Sequence, residues 1–148
     1  MSQLISARLP ETTAERIKQY ARRKQRSVNE TVSIALEEWI RQDEFAFIEF
    51  RETPDGRIAY MKSSRLPVYW VIKAAKIYGM DVDKTQAHWP NHPHAWVQAA
   101  LNYYEAYPEE IDAQVALHET HSSFETLKRR FPQMEAFVVP LSVLEGEG

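Results

Sequence analysis

The sequence predicts a mainly α-helical protein with short β elements. Three observations carry that prediction. First, the alternating stretch "QLISARLP" (residues 3–10) leads into two segments whose apolar residues recur at helical spacing. Second, two apolar runs, "FAFIEF" (45–50) and "GRIAYM" (56–61), flank the turn "TPDG" (53–56). Third, three more helical stretches follow, each bounded by proline or glycine.

The bulk numbers set the frame. A chain of 148 residues fits one or two small domains, and 44% hydrophobic residues are enough for a core. Cysteine is absent. Disulfide and thiol chemistry are therefore excluded, which fits a reducing cytoplasm. No apolar run approaches the roughly 18 residues of a membrane span, and the start does not follow a signal-peptide pattern. A soluble, cytoplasmic protein without membrane partners is expected. The net charge of −3 is unevenly spread. Residues 1–42 hold 8 basic and 5 acidic residues (+3); the remainder holds 10 and 16 (−6). A basic first part on an acidic body suggests that one end meets a polyanion, although a solvated helix face carries similar charge.

In "QLISARLP", Leu4, Ser6 and Arg8 point one way and Ile5, Ala7 and Leu9 the other. That predicts a short strand with one apolar face. Pro10 ends it and suits the first turn of a helix. That helix carries Ile17, Tyr20 and Ala21 on one side, with Thr12 and Glu15 at capping-box spacing. A second helix opens at Ser27. Val28, Val32, Ala35, Leu36, Trp39 and Ile40 form its apolar stripe. One strand and two short helices bury too little alone. The simplest remedy is a twofold homodimer whose strands pair antiparallel, leaving Leu4, Ser6 and Arg8 on a ribbon that fits the DNA major groove.

"RLP" leading into the first helix and "RSVN" opening the second make residues 2–42 resemble the ribbon-helix-helix repressors of the Arc and MetJ type. The resemblance implies that Leu4, Ser6 and Arg8 read bases in a double-stranded operator. Arg8 can fork onto guanine, Ser6 can donate or accept, and Leu4 can touch a thymine methyl. Family members usually carry a polar residue at the position of Leu4; Gln3 takes its place if the register slips by one. The start of the second helix is a phosphate site in both chemistry and resemblance. Ser27 caps it, with Glu30 completing a capping box, and the amides of Val28 and Asn29 stay free at the positive end of the helix dipole. Arg22, Arg23, Lys24 and Arg26 add attraction for the same backbone.

In the second part, "RLPVYWVIKAAKIYG" predicts a helix with Pro67 in its first turn and Gly79 as its stop. "DVDKTQAHWP" and "HPHAWVQAALNYYEAY" predict two more. Val68, Ile72, Ala75, Trp96, Ala100, Leu101 and Tyr104 are the expected core. "GRIAYMKSSRLPVYWVI" and "AALNYYEAYPEEID" make residues 45–115 similar to the family called domain of unknown function 433. That family occurs in antitoxins paired with PIN-type ribonuclease toxins, and its fold is homeodomain-like. Ser63-Ser64 stand where it often has Gly-Thr; if that glycine needs positive φ, the turn here must differ. Arg57, Lys62, Arg65, Lys73 and Lys76 have no acid among them, which leaves open either a local DNA contact or a solvated face.

The expected domains are therefore 1–43, for dimerisation and DNA binding; 44–115, helical and antitoxin-like; and 116–148, a C-terminal helix and tail. In the tail, "DAQVALHETH" (112–121) extends a helix and "SSFETLKRRFP" (122–132) forms another. "EAFVVPLSVL" (135–144) is a β-prone run that needs a partner. The expected function is a homodimeric, sequence-specific DNA-binding repressor, forming higher oligomers on DNA if dimers associate. The resemblance implies an antitoxin that autoregulates its operon and neutralises a PIN-type ribonuclease toxin. Two alternatives stay open. One is a stand-alone or plasmid-type repressor. The other is a metal-responsive regulator using the histidine-rich turn at His88, His92 and His94, with His118 and His121 spaced three apart. No glycine-rich phosphate loop, nucleophile elbow or zinc-hydrolase motif is present, so neither catalysis nor a cofactor is expected.

Overall fold

Helix α1 (Glu11–Arg23) begins one residue after Pro10, whose carbonyl accepts the Ala14 amide at 3.0 Å. Pro10 is thus the cap residue rather than part of the first turn. No side chain caps this end, so the box expected from Thr12 and Glu15 does not form. The other end is closed by two crossed bonds. The Arg26 amide reaches the Ala21 carbonyl at 2.9 Å, and the Gln25 amide reaches that of Arg22 at 3.1 Å. This is the Schellman arrangement, and it needs a left-handed residue just past the end. Gln25 supplies it at φ 56°.

Helix α2 (Val28–Glu44) follows at once. The Ser27 hydroxyl accepts the Glu30 amide at 3.0 Å, and the Thr31 hydroxyl donates back to the Ser27 carbonyl at 2.8 Å. Because α2 runs to Glu44 and the chain then turns through Phe47 at φ 62°, strand β1 (Ile48–Thr53) starts later than the expected Phe45. It pairs antiparallel with β2 (Gly56–Met61), from Ile48 opposite Met61 to Thr53 opposite Gly56. The Thr53 hydroxyl donates to the Gly56 carbonyl and accepts the Asp55 amide, which closes the two-residue loop.

The turn after the hairpin passes through Ser63 at φ 61°. The serine itself takes the left-handed position in this turn. Helices α3 (Val68–Ile77), α4 (Val82–Ala87) and α5 (His94–Ala106) follow. Asp81 caps α4 by accepting the Lys84 amide at 2.8 Å. Val68, Val71, Ile72 and Ala75 of α3 meet Trp96, Val97, Ala100 and Tyr103 of α5, with Ala59 and Met61 of the hairpin also buried. The expected Leu101 and Tyr104 are only half-buried, and Tyr103 takes the central place. Its hydroxyl accepts a bond from Arg41 at 2.8 Å, which lets a phenol be buried, and its ring meets those of Phe45 and Phe50 edge-on.

The computed structural model describes residues 1–122, with Arg129 and Pro132 beyond them. The protein is mainly helical, with six helices and one two-stranded antiparallel sheet among the described residues. No helix among them is long and apolar enough to cross a membrane. The chain divides into two compact units, residues 1–106 and 107–148. The expected boundary at 43/44 lies inside the first unit, where α2 packs on β1. The expected boundary at 115/116 falls within helix α6 (Pro108–Ser122), which is continuous there. The tail helix and the β-prone run lie essentially outside the described residues.

Residues 1–10 are exposed and form neither helix nor strand in the single chain. The expected strand is a ladder only when a second strand lies beside it, and the one sheet described pairs β1 with β2. Ile5, meant for a covered face, is 86% exposed.

The cost at Gln25 is testable. Gln25→Gly removes left-handed strain at the price of a looser unfolded chain, for a net gain of roughly 0.5–1 kcal/mol. A raised urea midpoint at unchanged slope is the expected result; an unchanged or lowered midpoint contradicts the strain.

Candidate nucleic-acid interface

An α-helix leaves its first amides without partners inside the helix. At the start of α2, Ser27 uses two groups: its hydroxyl takes the Glu30 amide and its carbonyl takes that of Thr31. The amides of Val28 and Asn29 are left at the positive end of a 17-residue helix, and both residues are exposed. The reciprocal half of the box, from the Ser27 amide to the Glu30 carboxylate, is not among the bonds described.

The cations before it fall into two groups. Arg22 and Arg23 occupy the last turn of α1, and Lys24 is its C-cap. There they complement the negative end of the α1 dipole, which explains positive charge directly ahead of α2. Sequence inspection weighed only the helix that follows; the signal, basic residues in a final turn, was present. Arg23 lies over the Tyr20 ring at 5.3 Å and Lys24 at 5.9 Å, while the Arg22 Nε donates to the Lys18 carbonyl. Arg22, Arg23 and Lys24 are exposed and able to meet an anion.

Arg26 differs. Its guanidinium is held by Glu52 of the hairpin at 3.1 Å, so it is a partnered cation rather than the free phosphate contact expected. Glu52 also accepts from Arg57 at 3.2 Å, and Arg57 forks onto both oxygens of Glu38 at 2.6 Å. Arg26–Glu52–Arg57–Glu38 is thus one ladder from the α1–α2 turn through the hairpin to mid-α2. The fork raises the Arg57 guanidinium further above its already high value, through the Glu38 hydrogen bonds against desolvation, so Arg57 stays charged. These partners were missed because only the acid-free run after Arg57 was weighed, whereas Glu52 lies five positions earlier and Glu38 19 positions earlier.

Leu4, Ser6 and Arg8 are all exposed on the N-terminal segment. Among the described residues, no hydrogen bond or ion pair joins them to the α2 start. One chain therefore presents the capped α2 start formed, with Leu4, Ser6 and Arg8 exposed and apart from it.

The histidines do not converge. The His88 Nδ1 is 3.4 Å from the Tyr78 hydroxyl, His92 stacks on Trp96 at 4.1 Å between ring centres, and His94 pairs with Asp83 at 3.2 Å. Among the described residues, no group of three or more His, Cys, Asp or Glu could hold a metal ion.

The chain matches no family model, no curated protein and no solved structure.

The ladder predicts a pH response. The Arg26 hydrogen bond lowers the Glu52 carboxyl from its ordinary value of 4.5; desolvation opposes this, and Arg57 adds to the lowering. A depressed folded value stabilises above the unfolded one and loses its effect as pH falls through the folded one. Glu52→Gln should therefore lower stability at neutral pH and lose less on acidification below about 4.5. Parallel wild-type and variant stability curves from pH 7 to 3 would contradict it.

Proposed function

We propose that this protein is a cytoplasmic, homodimeric, DNA-binding transcriptional repressor of the ribbon-helix-helix kind. We propose further that residues 45–115 make it the antitoxin of a PIN-type ribonuclease toxin, repressing their shared operon. The observation that carries the dimeric, DNA-binding part is the state of α2. Its Glu38 and Arg41 side is engaged by the hairpin and α5. Leu36, Trp39 and Ile40 remain 55%, 69% and 44% exposed. Covering such side chains is worth about 1.5–3 kcal/mol each. A second copy supplies the matching stripe and the strand that residues 3–9 lack. It also brings two sets of Leu4, Ser6 and Arg8 onto one ribbon, flanked by two Ser27-capped helix starts. The antitoxin role rests on the resemblance of residues 45–115, with which the hairpin and three helices agree in order.

Binding is tested on the duplex immediately upstream of this protein's gene. Arg8→Ala should weaken it by about 1–3 kcal/mol and relax the preference at one base step. Arg22→Gln should weaken specific and random duplex alike and flatten the salt dependence. A wild-type protein that leaves this duplex unshifted, or an Arg8→Ala variant of unchanged affinity, would contradict the proposal.

A further inference from the structure

Between α1 and α2 runs an open groove of about 570 Å³, within the usual range of ligand sites. Its apolar lining comes from Ile17 and Tyr20 of α1 and Ile34 and Ala35 of α2. Its rim carries Arg16, Arg23, Arg26 and Arg57. The lining includes one carboxylate, Glu38, which is already forked by Arg57. Counting Glu52, which holds Arg26 and Arg57, the region has four guanidinium charges against two carboxylates, a surplus of two.

This groove centres on a different side of α2 from Leu36, Trp39 and Ile40, the exposed residues assigned to the second copy, and shares only Ala35 with their stripe. Successive residues of a helix turn by about 100°, so Ile34 and Leu36 lie about 160° apart around α2. The exposed Leu36 and the groove-lining Ile34 therefore open on different sides, with Ala35 at the edge between them.

We propose that this groove is a docking site for an acidic amphipathic segment of a partner protein. Such a segment lays apolar side chains on Ile17, Tyr20 and Ile34 while its carboxylates meet Arg16 and Arg23. Charge complementarity selects this occupant. A nucleic-acid phosphate has no use for the apolar lining, and a basic or neutral helix leaves the surplus charge unanswered. Arg16 and Arg23 at the rim are exposed, and arginine forks onto carboxylates in two-point bonds.

The test uses the full chain and a fluorescent synthetic helix with leucine and glutamate at i, i+3 and i+4 spacing, against the same helix with lysine for glutamate. Fluorescence anisotropy should show binding of the acidic helix and none of the basic one. Arg16→Glu with Arg23→Glu should weaken it about tenfold or more, and Ile34→Glu should abolish it, with wild-type circular dichroism and mass in solution. No binding by the wild type, or binding that survives Ile34→Glu, overturns the proposal. So does an Ile34→Glu variant that changes oligomeric state, since the groove would then be a face between copies. Because the readout contains no DNA, a failure here is separable from a failure of the repressor assignment.

Discussion

The fork between Arg57 and Glu38 decides which side of α2 the rest of its own chain can cover. It joins the second hairpin strand to mid-α2 by two bonds of 2.6 Å, and Arg41 adds a tie to Tyr103 of α5 three residues on. With that side taken, the stripe through Leu36 and Trp39, roughly 100–160° from Glu38 around the helix, is turned outward. The uncovered apolar surface is therefore a consequence of how the first unit packs. It is the physical reason to invoke a second copy.

The same constraint arranges the charges. The ladder from Glu38 through Arg57 and Glu52 ends on Arg26, so the turn between α1 and α2 is pinned to the hairpin. Arg22 and Arg23 remain on the last turn of α1, where they serve that helix's negative end and stay exposed beside the start of α2. One short stretch thus closes one helix, opens the next and presents two amides to an anion. Arg26, by contrast, is held by Glu52.

What could be read in advance was what is local. The Ser27 cap, the hairpin loop and the proline and glycine stops depend on residues within a turn of each other. Each was found within a residue or two. What could not be read depends on distant partners. Glu38 and Arg57 are 19 residues apart, and nothing near either names the other. Tyr103 was passed over for Tyr104 because one residue of phase decides which phenol is buried, and the Arg41 donor that permits it lies 62 residues away. The hairpin was begun too early because Phe45 to Phe47 are β-prone, yet α2 extends to Glu44 and Phe47 adopts a left-handed turn. Left-handed Gln25 was hidden for a similar reason: only glycine or asparagine advertises such a position.

The absence of cysteine makes the antiparallel pairing of the N-terminal segments directly measurable. Single cysteines placed in turn at Leu4, Ile5, Ser6, Ala7 and Arg8 would be oxidised and their covalent dimers quantified. Paired antiparallel strands bring residues near the twofold axis to a Cα separation of about 4.5–5.5 Å, within disulfide reach, and carry residues farther along rapidly out of it. The account predicts a sharp maximum at one position, falling off to both sides and abolished by Trp39→Glu. Equal, weak cross-linking at all five positions, or none in a monomeric protein, would contradict it.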